Sequence, residues 1–164
     1  MKATITATAK YLPQKTLSNQ ELEKMVDTSN EWILSRTGIE NRHIVSDGEA
    51  TSDMCSQIAK QLLEKSGKSA EDIDLILVAT STPDFLVVST AALVQDKIGA
   101  KNAWGYDIVA ACTGFVYAME TGAKFIESGS YNNVIVIGAD TMSSIIDYTD
   151  RNTCVIFGDG GGGV

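Results

Sequence analysis

An alternation constrains this chain more than any other feature. Three apolar runs rich in β-branched residues, IDLILVAT from Ile73, AWGYDIVA from Ala103 and NVIVIGAD from Asn133, are separated by stretches whose apolar residues recur every three or four positions. Strand followed by helix, repeated, implies a largely parallel sheet covered by helices. A further run, ATITATA from Ala3, reads as another strand. The closing GDGGGGV lacks the Lys-Ser/Thr that follows a phosphate loop, so it reads as a close-packed turn entering a fifth strand that is cut short at Val164. Helices are expected over Ser18 to Met25, Thr28 to Arg36, Thr51 to Ser66, Ser89 to Ile98 and Thr113 to Ser128, several of them opening on a Ser or Thr able to cap the first turn. The expectation is an α/β fold with a five-stranded mixed sheet and helices on its faces.

At 164 residues, 44% hydrophobic and 21% charged, the chain suits one domain with a real core. Its net charge of −8 comes with acidic and basic residues interspersed and no Lys/Arg run, which argues against nucleic acid or a membrane surface as partner. The opening MKATITATAKYLP lacks a signal-peptide apolar block and no stretch is long enough to cross a bilayer, so a cytoplasmic location is expected. Cys55, Cys112 and Cys154 are odd in number and widely spaced, which indicates neither a disulfide framework nor a zinc site.

Cys112 stands out because it falls between a strand run and a helical run. From Phe115, the residues Ala118, Met119, Gly122, Ala123 and Ile126 share one helix face, and its small members allow close approach by another element. A thiol at the start of such a helix meets unpaired backbone N–H groups and the positive end of the helix dipole, which favour thiolate and can hold an oxyanion. The setting is similar to the strand-to-helix elbow of hydrolases, although Ala-Ala-Cys-Thr-Gly lacks the glycine that precedes the nucleophile there. Free cysteine is also among the most buried residue types, so position alone leaves two readings open, nucleophile or core residue.

A second constellation lies in DTSNEWILSRTGIENR. Thr28, Trp32 and Arg36 are spaced by four, which puts hydroxyl, indole and guanidinium on one stripe of a short helix. That set suits a nucleotide, the ring stacking on a base and the cation meeting phosphate; a Trp packed in the core under an Arg stem is the competing reading.

Four segments taken together, EWILSRTGIENR, LVATSTPD, AACTGFVYA and YTDRNTCVIFGDGGGGV, resemble the β-ketoacyl-acyl-carrier-protein synthase III family of the thiolase superfamily, over the N-terminal half of that family. The resemblance implies a thiolase-like half-domain spanning residues 1–164, with the C-terminal half lying outside this chain. It implies that Cys112 accepts the acyl group and that Thr28, Trp32, Arg36 and Arg151 bind coenzyme A, with adenine between Trp32 and Arg151. The implied reaction moves an acyl group from acyl-coenzyme A to the cysteine and condenses it with malonyl on acyl carrier protein, initiating fatty-acid synthesis. It needs no resident cofactor, since coenzyme A enters as a substrate thioester. A His and an Asn supplied by the C-terminal half complete the chemistry, and a homodimer is implied. Within the superfamily, a non-decarboxylating acyltransferase or hydroxymethylglutaryl-type synthase would use the same cysteine; a non-catalytic thiolase-like partner subunit or truncated remnant is the reading of another class.

Val87 and Val88 stand where the family commonly has Phe and Pro, at a position the resemblance links to the partner subunit's acyl pocket. His43 follows TGIENR, where the family has no catalytic residue, and reads as surface or structural. Cys55, on a stripe with Ile58, Ala59 and Leu62, and Cys154, in the strand-like TCVIF, read as packing residues. Asp140, Asp147, Asp150 and Asp159 lack metal-ligand spacing and are assigned to loops and caps.

Overall fold

The computed structural model of the chain describes residues 2–164. Its strands are β1 (Ala9–Tyr11), β2 (Lys15–Ser18), β3 (Asn41–Ile44), β4 (Leu75–Ala79), β5 (Trp104–Ile108), β6 (Val134–Thr141) and β7 (Asp159–Gly163). Its α-helices are α1 (Asn19–Leu22), α2 (Asn30–Thr37), α3 (Thr51–Ser66), α4 (Thr90–Ile98) and α5 (Gly114–Glu127). The main sheet has the order β1-β7-β6-β4-β5, with β5, β4 and β6 parallel and β7 antiparallel to both its neighbours. This is the expected five-stranded mixed sheet.

Side-chain alternation divides the core between its two faces. Ile76, Val78, Ile135 and Ile137 pack under α3 and α4 with Met54, Ile58 and Val94, whereas Leu75, Leu77, Ala79 and Val136 meet α5 at Ala118. Every residue of β4 is therefore buried. α3 and α4 end on Gly67 and Gly99, both in the left-handed conformation that closes a helix, and α4 opens on the Ser89 hydroxyl accepting from Ala92 N–H. Of α5, Gly114, Ala118 and Gly122 are buried; a Cβ at Gly122 would lie 3.2 Å from Val134 and Val136, so the small-residue row lets the helix settle on the sheet. Among the described residues no helix is long and apolar enough to cross a membrane.

Several sequence expectations need correction. The ATITATA run pairs only from Ala9, because Ala9 already lies opposite Gly163 and the register carries Ala3 to Thr8 past that strand's end. GDGGGGV is not a turn leading into a strand: Asp159–Gly163 is the strand. Glycine is needed there because a Cβ on Gly161 would come within 2.6 Å of the Ala139 Cβ and one on Gly163 within 2.8 Å of the Val136 carbonyl oxygen. TCVIF forms successive turns, with Thr153 and Cys154 N–H both donating to the Asp150 carbonyl and the Asp150 carboxylate drawing in Asn152 N–H and the Thr153 hydroxyl. A two-stranded sheet of β2 and β3 has no counterpart in the expectation, since KTLS and NRHI carry no apolar alternation.

Candidate active site

After β5 the chain passes Val109 and Ala110 and tightens into a 3-10 turn, Ala111–Thr113, that runs directly into α5. Ala111 has φ 45°, the only positive value at a non-glycine among the described residues. An alanine there costs on the order of 1–3 kcal/mol, and such strain concentrates at functional sites. It sits immediately before Cys112 and turns that residue outward: Cys112 is exposed, while Cys55 and Cys154 are buried. Burial also pushes both of the latter thiols up, Cys55 far above the ordinary range, which makes them inert. No side chain caps the 3-10 turn or α5. Gly114 brings the helix start against the strand ends, where a Cβ would lie 3.3 Å from that of Ala79.

Cys112 opens on a cleft of about 430 Å³ formed with Ala79, Phe115, Gly138, Asp140 and Gly162 among its walls. The Asp140 Oδ1 accepts from Ser81 N–H at 2.7 Å and from the Thr80 and Thr82 hydroxyls at 3.1 Å, tying the ends of β4 and β6 together beside the cysteine. Sequence reading assigned Asp140 to a loop or cap; it lies within β6, one residue before its end, and lines the cleft.

The second constellation assembles from two remote segments. Trp32 and Arg36 lie on α2, and the Arg36 guanidinium is 5.9 Å from the Trp32 ring centre; Arg151, more than a hundred positions later, lies 4.9 Å from the same ring. Arg151 also approaches Asp27 at 4.0 Å. Thr28 does not share the helix stripe as expected, because Ser29 caps α2 and the helix begins at Asn30. Its hydroxyl oxygen is buried without a hydrogen-bond partner. None of Thr28, Trp32, Arg36 and Arg151 lines the cleft at Cys112.

One small core holds this site together. Ile33, next to Trp32, packs with Leu22, Cys154 and Val155, just past Arg151. Arg42, buried on β3, donates from Nε to the Val155 carbonyl at 3.0 Å, from Nη2 to the same oxygen and from Nη1 to the Asn19 carboxamide oxygen; its pKa is lowered by burial. Asn19 in turn donates to Asn30 at the start of α2 at 3.0 Å. Sequence reading missed Arg42 and Asn19, because nothing local marks a polar strand residue that serves an acceptor 113 positions away. His43 bonds through Nδ1 to the Pro13 carbonyl at 2.6 Å, a structural contact.

Fold and site together define a thiolase-like fold with an exposed cysteine at the elbow between the edge strand β5 and its following helix. A family model described as 3-oxoacyl-[acyl-carrier-protein (ACP)] synthase III matches residues 106–164. The β-ketoacyl-[acyl-carrier-protein] synthase III of Chlorobium phaeovibrioides is 63% identical over 165 residues, covering 100% of this chain and 50% of the relative. The crystal structure of the 3-oxoacyl-[acyl-carrier-protein] synthase III from Aquifex aeolicus superposes with a TM-score of 0.94 at 48% identity, over 97% of this chain and 51% of that one. The priming β-ketosynthase of the R1128 polyketide pathway gives a TM-score of 0.94 at 34% identity, over 97% and 48% of the two chains. The chain is similar to the N-terminal half of these 3-oxoacyl-[acyl-carrier-protein] synthase III proteins. It spans about half the length of the curated relatives it matches.

Proposed function

We propose that this half-domain forms the acyl-enzyme of a decarboxylating condensing enzyme that initiates fatty-acid synthesis. The observation that carries the reading is Cys112 itself, the exposed thiol of the three, behind a strained alanine and at the uncapped head of a helix. In the first step the Cys112 thiolate attacks the carbonyl carbon of an acyl-coenzyme A; the carbon–sulfur bond to coenzyme A breaks and its thiolate leaves, taking up a proton. In the second, a malonyl thioester on acyl carrier protein loses carbon dioxide, its carbanion attacks the acyl carbonyl, and Cys112 leaves as thiolate. The C-terminal half contributes the His and Asn that serve this second step, so residues 1–164 are inactive without it. No resident cofactor takes part.

Thr28, Trp32, Arg36 and Arg151 are the coenzyme A residues in this reading, Trp32 and Arg151 flanking adenine and the cations meeting phosphate. The exposed Trp32 ring with the Arg36 and Arg151 guanidinium groups 5.9 and 4.9 Å from its centre supports it, since an accessible indole beside two cations suits a base and its phosphates. The enzyme works as a cytoplasmic homodimer through the β5 edge. In support, Trp104 at the start of β5 is half exposed, and Leu86 and Val87, on the loop that leads from the other end of β4 into α4, are 99% and 95% exposed, that loop being pinned at its base by Asp84, which accepts from Ser52 N–H and hydroxyl.

The test is to incubate the complete protein with acetyl- or longer acyl-coenzyme A and map the adduct by mass spectrometry. Acyl on Cys112, lost in Cys112→Ala, is expected; label on Cys55 or Cys154 with Cys112 bare overturns the reading. Carbon dioxide release from a malonyl donor separates it from a non-decarboxylating acyltransferase or hydroxymethylglutaryl-type synthase, and absence of any acylation favours a non-catalytic partner subunit.

A further inference from the structure

The backbone pairing of β4 with β6 ends at Ala79 and Gly138, and a clasp of side chains takes over where the ladder stops. The Asp140 Oδ1 accepts from Ser81 N–H at 2.7 Å and from the Thr80 and Thr82 hydroxyls at 3.1 Å each. The Thr82 hydroxyl oxygen in turn accepts from Thr141 N–H at 2.8 Å, and that of Thr80 accepts from Thr82 N–H at 3.1 Å. Thr51, at the head of α3, donates from its hydroxyl to the Thr82 carbonyl at 2.6 Å and lies 3.0 Å from the Thr141 hydroxyl. Thr51, Thr80, Thr82 and Thr141 are all buried. A carboxylate that gathers several donors within a buried, satisfied network makes a rigid joint.

This joint stands beneath the elbow that carries Cys112. One residue past the end of β4, Thr80 N–H donates to the Ile108 carbonyl at 3.2 Å. Gly114, the first residue of α5, faces Ala79 and the same carbonyl, since a Cβ on it would lie 3.3 and 3.7 Å from them. Phe115 lies over Gly138, where a Cβ would come within 3.1 Å of its ring. The head of α5 therefore rests on Ala79, Ile108 and Gly138: the first precedes Thr80, the second is bonded to it, and the third is two residues before Asp140. Between Ile108 and Gly114 the chain must fit the left-handed Ala111, and strain of that kind persists only where the surroundings over-determine the backbone. Neither the 3-10 turn nor α5 has a side-chain cap, which leaves the floor beneath them to hold the elbow.

We infer that Asp140 is a positioning residue for Cys112, a role that rests on the reading of Cys112 as the acylated residue. By fastening the ends of β4 and β6 to each other, it fixes the floor under the elbow and with it the direction from which the thiol meets a ligand in the cleft. Without the clasp the two strand ends lose their side-chain ties, Ala111 relaxes toward an ordinary conformation, and the thiol turns away from the unpaired N–H groups at the helix head.

The experiment follows single-turnover acylation of Cys112 by acetyl-coenzyme A in the complete protein, with coenzyme A affinity measured alongside by calorimetry. Asp140→Ala and the near-isosteric Thr80→Val are expected to acylate at least about tenfold more slowly, since a displacement of about 1 Å between reacting groups costs on the order of 10²-fold. Thr80→Ser, which keeps the hydroxyl, should restore the parent rate. Coenzyme A affinity should hold in all three, because Thr28, Trp32, Arg36 and Arg151 lie outside the cleft. Affinity lost in step with rate would mean a general loosening of the fold and would overturn the inference, as would parent-rate acylation by Thr80→Val or a Thr80→Ser form as slow as Thr80→Val. Iodoacetamide alkylation of Cys112, mapped by mass spectrometry, separates this role from the reading it rests on. If the parent takes up no acyl group, the proposed function fails; slower alkylation in Thr80→Val than in the parent and Thr80→Ser then still supports positioning, and equal alkylation in all three refutes it.

Discussion

Arg42→Met in the complete protein separates the support of the proposed coenzyme A site from the site itself. The substitution keeps an unbranched side chain of similar length and removes the three donated bonds to Val155 O and Asn19 Oδ1. Two buried acceptors are then left without a donor, at ~1–3 kcal/mol each, or ~2–6 kcal/mol together. Relief of the buried charge offsets part of this, since a guanidinium taken out of water with no carboxylate partner carries its own desolvation cost, so a net loss of ~1–4 kcal/mol is expected. The 151–156 turns would loosen with it, and Arg151 would lose its place over Trp32, a stacking interaction worth about 0.5–2 kcal/mol. Denaturant unfolding should therefore show reduced stability, and calorimetry on the folded variant should show coenzyme A bound several-fold more weakly. Arg42→Lys, retaining one cation and some donors, should lie between the two. Stability within about 0.5 kcal/mol of the parent, the level of an ordinary surface substitution, together with unchanged affinity, would refute the reasoning. The apolar cluster of Leu22, Ile33, Cys154 and Val155 would then be holding the turns unaided.

Trp32→Ala should weaken coenzyme A binding by ~1–3 kcal/mol, the scale of a base–aromatic stack, and Arg151→Ala should weaken it as well; unchanged affinity in both by calorimetry would return Trp32 to a packing role. Residues 1–164 alone should behave as neither a compact monomer nor a catalyst, because Val116 and Tyr117 on α5 are more than half exposed. Size, near-ultraviolet dichroism and carbon dioxide release from a malonyl donor check this, and a soluble monomer that turns over would contradict it.

What was legible in the chain was whatever short-range physics decides. The three β-branched runs formed β4, β5 and β6, and α3 and α4 followed their apolar periods closely because each also carries its own stop signal, Gly67 and Gly99. Cys112 could be singled out because strand, turn and helix succeed one another within a few residues around it. Its neighbour's strained φ was not legible, since alanine carries no mark of the left-handed conformation and the fold imposes it.

The rest depended on partners far away in the chain. TCVIF has strand composition, but Asp150 offers local acceptors, and Arg42 together with the Leu22–Ile33 cluster holds the segment as turns. ATITATA has strand composition too, yet how much of it pairs is decided by the register against β7. The glycines of β7 look like a flexible turn until Ala139, Ile58 and Val136 are seen to leave no room for a Cβ. By itself the sequence determined β4, β5, β6, α3 and α4 and where a cysteine meets a helix, because backbone propensity, side-chain period and capping act over a few residues. Only the tertiary structure decided that Cys112 is the exposed thiol, that Arg151 faces Trp32, and that a glycine run is a central strand, because each depends on excluded volume and hydrogen bonds between residues that meet only when the chain is folded.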